Sequence, residues 1–273
     1  MCFKPRHPTV TPQCPYAGPP ESSDPMHSKH TLISQLKHLG IDHGGTLLVH
    51  ISYKALGEIE GRGDTVIDAF CEYMQDGLLV FPGHTWEQVG ESNPVMDALH
   101  TPTCVGALTE LFREREGVFR SLHPTHSLCA LGTGAADFVA GDEHINSPCG
   151  KGGCYYKLWE RDAQILLVGV NFNRSTYIHG IEEWDGAEGS ISKKKTDMYV
   201  ITVEGQRLYT PQYRHASPLG SETFCKLEAQ AQSLGILSLG RLGDATTRLV
   251  RAKALRAMVA EQLKADPRYL LRY

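Results

Sequence analysis

The sequence predicts an α/β fold: a single layered α/β/α domain around a mixed central sheet. Three observations lead there. Short apolar runs rich in β-formers alternate with stretches of helical periodicity. The helical stretches close on glycines, so turns rather than long linkers join the elements. A late hairpin pattern makes the sheet mixed rather than purely parallel.

Taken in order, residues 1–25 are rich in proline, without periodicity, and lack the apolar core of a secretory signal. Residues 1–27 therefore read as a disordered leader and 28–273 as the folded domain, with Met26 as a candidate start. "SKHTLISQLKHLG" spaces Leu32, Ile33, Leu36 and Leu39 as one helix face and stops at Gly40. "GTLLVHIS" reads as a buried strand. "GDTVIDAFCEYMQDG" reads as a helix with Asp64 as N-cap, closing at Gly77. "LLVFPG" is a strand stopped at Pro82, and "CVGALTELFREREG" a helix with Leu108, Leu111 and Phe112 on one face. "HSLCALG" and "QILLVGV" are further strands, separated by "TGAADFVAG" and the helical "YYKLWERD". "DMYVITVEGQRLYTPQYR" reads as a hairpin turning at Glu204-Gly205, added to the central sheet. The tail from Ser221 reads as helical, its last helix capped by Asp244.

Composition narrows the function classes. Hydrophobic residues make up 41% and charged residues 21%, enough for a sizeable core. A net charge of −4 gives no nucleic-acid surface, and "KKK" at Lys193–Lys195 reads as a solvated loop. No apolar stretch approaches the roughly 20 residues that cross a bilayer, so a cytoplasmic protein is expected. Eight cysteines in so long a chain are no disulfide scaffold; Cys71, Cys104 and Cys129 read as core residues. Cys149 and Cys154 lack the second pair of a zinc knuckle, and no histidine pair has ligand spacing, so no metal is expected.

Ligands of α/β sheets bind beyond the carboxyl ends of strands, where this chain carries "HISYKALG", "FPGHTWE" and "NFNRSTYIHGIEEW". In the last, Thr176, His179 and Glu182 fall three apart. On a helix capped at Ser175 they share a face, with Glu182 able to orient the His179 imidazole and Thr176 able to donate to an oxyanion. An ordinary surface His–Glu pair has the same spacing. In "RSLHPTHS", Arg120, Ser121 and the turn amides suit phosphate oxygens, or else the segment is a polar turn whose His123 and His126 satisfy local backbone groups.

In this order, "GTLLVHISYKALG", "GDTVIDAF", "GLLVFPG", "TPTCVGALTELFRE", "GVFRSLHPTHSLCALG", "SPCGKGGCYYKLWE", "ILLVGV" and "STYIHGIEE" resemble the aminoglycoside 3-N-acetyltransferase family. The resemblance implies acetyl-CoA as donor and a polycationic amine as acceptor, such as the 3-amino group of a 2-deoxystreptamine aminoglycoside. It puts the histidine–acid motif on His179 and Glu182, with Thr176 beside them. Coenzyme A would meet His50, Ser52, Tyr53, Lys54 and Gly57 on one segment, and Arg120, Ser121 and His123 on another. Glu87, Glu183 and Asp185 are the carboxylates expected on the acceptor side. Many drug-modifying members read His-x-Ala-Glu, where this chain has Gly180 and Ile181 between the pair. The expectation is direct transfer by a monomer or homodimer, without a metal. A same-fold enzyme for another amine, a non-catalytic CoA-binding relative, and a metal-dependent hydrolase are the competing readings.

Overall fold

The computed structural model describes residues 26–217 and 219–272; the leader expected over 1–25 lies outside the described residues. In chain order the elements are α1 (Lys29–His38), β1 (Thr46–Ile51), α2 (Arg62–Tyr73), β2 (Leu78–Pro82), β3 (Val95–Asp97), α3 (Ala107–Arg113), β4 (Phe119–Arg120) and β5 (Leu128–Gly132). There follow α4 (Ala135–Val139), α5 (Cys154–Glu160), β6 (Gln164–Val168), α6 (Thr176–Trp184), β7 (Tyr199–Ile201) and β8 (Arg207–Tyr209). The chain ends in α7 (Leu227–Ser233), β9 (Leu237–Leu242), β10 (Ala245–Arg251) and α8 (Ala252–Ala265).

Seven strands form the central sheet in the order β4-β5-β2-β1-β6-β10-β9. Its centre, β2-β1-β6, is parallel, with Leu48 opposite Val80 on one side and Ile165 on the other. Every residue of β2 and β6 is buried, as expected of strands covered on both faces. On one face, Leu48, Val80, Ile165 and Leu167 pack under α4, α5, α6 and α8. On the other, Leu47, Val49, Leu79 and Phe81 pack under α1, α2 and α3. Those two layers of helices make the predicted α/β/α arrangement.

The sheet is mixed for a different reason than expected. The β7-β8 hairpin does not join it, but pairs with β3 in a separate three-stranded sheet over its own small core of Met96, Met198 and Val200. The antiparallel members are β5, against β2 and β4, and β10, against β6 and β9. The tail reading is corrected too. Residues 237–251 form the β9-β10 hairpin, and Asp244 sits in its tight turn after Gly243 at φ +56°. The helix begins only at Ala252. Asp64 likewise stands inside the first turn of α2, whose cap position is Gly61. His27, placed with the leader by sequence, is hydrogen-bonded into the fold through Glu58 and Glu60 and by its Nε2 to Asp244.

The carboxyl ends of β1, β2 and β6 open on one edge of the sheet, and antiparallel β5 is entered from the same edge. The segments that leave β2 and β6 there, and the one that enters β5, build the site.

Candidate active site

From the end of β6 a short 3-10 turn, Phe172–Arg174, leads into α6. Tyr177, Ile178, Ile181 and Trp184 give α6 a buried face, pinned by Tyr177 Oη donating to Ala252 O and Trp184 Nε1 donating to Cys149 O at 2.6 Å. That anchoring turns Thr176 and His179 toward a cavity of about 300 Å3. His179 Nδ1 lies 2.6 Å from Glu182 Oε2, one helical turn on. The two side chains are 13% and 1% exposed, so this is no solvated surface pair. His179 Nε2 has no hydrogen-bond partner among the described residues. A carboxylate held against one ring nitrogen, with the other free beside a cavity, can orient a proton acceptor.

Four histidine rings meet here. His215 stacks on His179 at 4.2 Å between ring centroids, His126 meets His215 at 4.9 Å, and His84 meets His126 at 4.9 Å. His84 Nε2 lies 2.7 Å from Tyr155 Oη. Burial first, and mutual repulsion second, hold His84, His126 and His215 well below the ordinary histidine range, so they are uncharged at neutral pH. Trp86, Pro148, Asn173, Arg174, Arg214 and Ser221 complete much of the wall. A shallower bowl shares Trp86 and Arg214 and adds Glu87 and Glu91.

Thr176, His179 and Glu182 are therefore together, as the spacing implied. None of the eight residues expected on the donor side lines this cavity. Arg120 donates to the carbonyls of Gly83, Ala98 and Thr101 and to Ser127 Oγ. Ser121 Oγ donates to Asp142, and His123 takes the backbone amides of Thr125 and His126 on Nδ1. In the structure this segment is a polar turn whose groups satisfy one another. His50 is buried in β1, while Ser52, Tyr53, Lys54 and Gly57 lie on the turn beyond it; a Cβ on Gly57 would strike the Asp244 carboxylate.

Among the carboxylates, Glu87 faces the bowl. Glu183 instead accepts from Ser147 Oγ at 2.6 Å and Cys149 N at 2.8 Å, and desolvation pushes its carboxyl up to about 7. Asp185 is bound by both prongs of the Arg256 fork at 2.9 Å. Both are occupied in holding the fold. The sequence reading missed His84, His126, Arg174, Arg214 and His215. His84 and Arg174 lie in segments already flagged as strand ends; nothing near His215 in sequence signals its arrival from the far side of β8.

A family model described as aminoglycoside 3-N-acetyltransferase matches residues 48–264. This chain belongs to the aminoglycoside 3-N-acetyltransferase family. Its members are acyltransferases, and the motif order read from the sequence is accounted for. The aminoglycoside N(3')-acetyltransferase-like protein YokD of Bacillus subtilis is 27% identical over 250 residues, covering 84% of this chain and 89% of that protein. Two solved structures share the fold. AAC-IIIb, in binary complex with CoASH, has a TM-score of 0.77 at 23% identity, covering 88% of this chain and 97% of that one. A mutant of AAC(3)-IVa in complex with a gentamicin has a TM-score of 0.80 at 24% identity, covering 93% and 94%. The departure from His-x-Ala-Glu falls on the core face of α6: Gly180 and Ile181 are buried, and neither lines the cavity. No helix of the described residues is long and apolar enough to cross a membrane.

Proposed function

We propose that this chain transfers the acetyl group of acetyl-CoA directly to an amine, the 3-amino group of a 2-deoxystreptamine aminoglycoside, with His179 as general base. The observation that carries the proposal is the His179–Glu182 pair, 2.6 Å apart and opening on the cavity. With Glu182 as carboxylate accepting from Nδ1–H, Nε2 keeps its lone pair. The acceptor ammonium loses a proton toward Nε2, and its nitrogen attacks the thioester carbonyl. The C–S bond breaks, the proton on Nε2 passes to the departing sulfur, and the surplus proton on the acylated nitrogen leaves to solvent as the amide forms. Thr176 Oγ1, one turn before His179 on the cavity wall, is our candidate donor to the oxyanion. No covalent acyl-enzyme is needed. Acetyl-CoA as co-substrate is supported by the CoASH-bound relative, and the acceptor by the family and by the gentamicin complex.

One feature supports a second reading of the acceptor. Arg174 and Arg214 line the cavity and no carboxylate does among the described residues; Glu182 stands behind His179, and Glu87 and Glu91 stand in the outer bowl. An amine with fewer positive charges than an aminoglycoside suits such a wall better.

The test is thiol release from acetyl-CoA against kanamycin-, gentamicin- and neomycin-type acceptors and a panel of simple amines. His179→Ala is expected to lower kcat by about 10²–10⁴-fold while leaving coenzyme A affinity near that of the parent. Near-parental kcat in that variant removes the base assignment. Turnover of simple amines alone selects the second reading.

A further inference from the structure

We propose that Cys149, Glu183 and His215 form a binding site for a thiophilic divalent cation of the Zn2+ class, and that its occupation inhibits the enzyme. One donor atom from each of the three lies within 4.8 Å of the other two. They come from three separate parts of the chain: the loop before α5, the third turn of α6, and the segment after β8. No sequence spacing announces such a set, which explains why the ligand-pair patterns were absent.

A second observation points to a ligand. Both ring nitrogens of His215 are buried, and neither has a hydrogen-bond partner among the described residues. A buried imidazole without partners forgoes the hydrogen bonds it makes in water, and a cation on one nitrogen supplies what is missing. Glu183 has no lysine or arginine partner to offset its burial. Each of its oxygens accepts one hydrogen bond and retains a lone pair for a metal. The Cys149 thiol makes only a long contact to Thr176 O at 3.8 Å. Tetrahedral coordination by sulfur, nitrogen and oxygen needs donors about 3.5 Å apart, so the three must draw in by about 1 Å. Little opposes that movement, since neither the thiol nor the imidazole has a strong bond to break. Thiolate, imidazole and carboxylate together select Zn2+ over Mg2+ or Ca2+. Binding converts Cys–SH to a metal thiolate and releases that proton to solvent, together with any proton the Glu183 carboxyl holds.

Inhibition comes from position. The His215 ring stacks on His179 at 4.2 Å and lines the same cavity. The ion draws Cys149, Glu183 and His215 together and takes up room beside His179, where the acceptor amine must approach. This part rests on the acetyl-transfer reading; cation binding does not.

Metal-free full-length protein would be titrated with Co2+ as a spectroscopic stand-in. The expected result is saturation of a site showing thiolate-to-cobalt charge transfer, with Zn2+ displacing the cobalt. Cys149→Ser and His215→Gln should each weaken Co2+ binding at least tenfold, while His144→Asn, at an exposed histidine, should leave it unchanged. Unaltered charge transfer in Cys149→Ser overturns the site. X-ray absorption on zinc-loaded wild type decides the matter independently of how the variants fold: a shell with one sulfur and nitrogen or oxygen neighbours is expected, and a shell without sulfur overturns the proposal. In turnover assays Zn2+ should inhibit the wild type, a chelator should restore it, and Cys149→Ser should resist. Binding without inhibition refutes the inhibitory role alone, and absence of any turnover leaves the binding result standing.

Discussion

Arg120 shows how one side chain changes role between sequence and structure. As part of "RSLHPTHS" it suits phosphate; in the fold it makes four hydrogen bonds, to Gly83, Ala98, Thr101 and Ser127. It is the clamp that ties the segment after β2 to the segments before α3 and β5. Arg120→Ala would leave three carbonyls without their charged donor, each partner loss costing about 1 kcal/mol or more. The expected outcome is a loss of roughly 3 kcal/mol in chemical denaturation, with the KM for acetyl-CoA little changed in the fraction that folds. A several-fold higher KM at unaltered stability would return Arg120 to the donor site. Arg174 is the residue to compare. It is exposed on the cavity wall with no ion pair among the described residues, and we expect Arg174→Ala to raise the KM for acetyl-CoA or the acceptor without lowering stability.

At the level of the element, α6 carries the argument, and Gly180 decides how it packs. Glycine inside a helix ordinarily costs about 1 kcal/mol relative to alanine, so Gly180→Ala would stabilise an isolated helix. Here a Cβ would stand 2.6 Å from Trp184 Cζ2 and 2.8 Å from Cη2. The indole is fixed by Nε1 donating to Cys149 O and by its contact with Tyr177, so it cannot yield freely. Overpacking costs of about 1–3 kcal/mol exceed the propensity gain. Gly180→Ala should therefore lower the melting temperature, and an increase would show that Trp184 repacks at little cost. Elements of this kind were legible in sequence where a local pattern decided them: α1 from its apolar spacing and Gly40, β2 and β6 from continuous apolar runs, and α6 from its strand-then-helix setting. Two failed because the deciding force was not local. The β9-β10 strands lie in a segment whose Arg248, Leu249 and Arg251 fit a helix as well as a strand, and pairing with β6 settles it. The β7-β8 hairpin was recognised, but its partner β3 lies about 100 residues earlier. The same holds for the site. His179 and Glu182 share a turn and could be read together, whereas His84, His126 and His215 meet only through the tertiary fold.

Across the whole molecule, the histidines make the fold acid-sensitive. His50 sits in the middle of the parallel sheet, 6% exposed, with its Nε2 unpartnered among the described residues. Burial lowers its pKa from 6.5 to about 4. A histidine depressed in the folded state binds its proton more readily unfolded, so unfolding takes up a proton between those two values. His50 therefore costs nothing above pH 6.5. Stability falls as the pH drops from 6.5 toward 4, and the penalty is fully developed below about 4, where both states are protonated. A shift of that size corresponds to about 3 kcal/mol. His84 and His126, also lowered by burial, act in the same direction and together outweigh Glu183, whose carboxyl, raised from 4.5 to about 7, favours the fold as the pH drops over the same range. Urea denaturation at a series of pH values should show stability level near pH 7–8 and falling steadily below 6.5. His50→Gln, which cannot titrate, should be less stable than wild type at about pH 7.5, for its imperfect fit in the strand, yet lose less on acidification. Equal pH slopes for the two proteins would mean that His50 accepts a proton without unfolding, and that the acid sensitivity belongs to the cavity histidines instead.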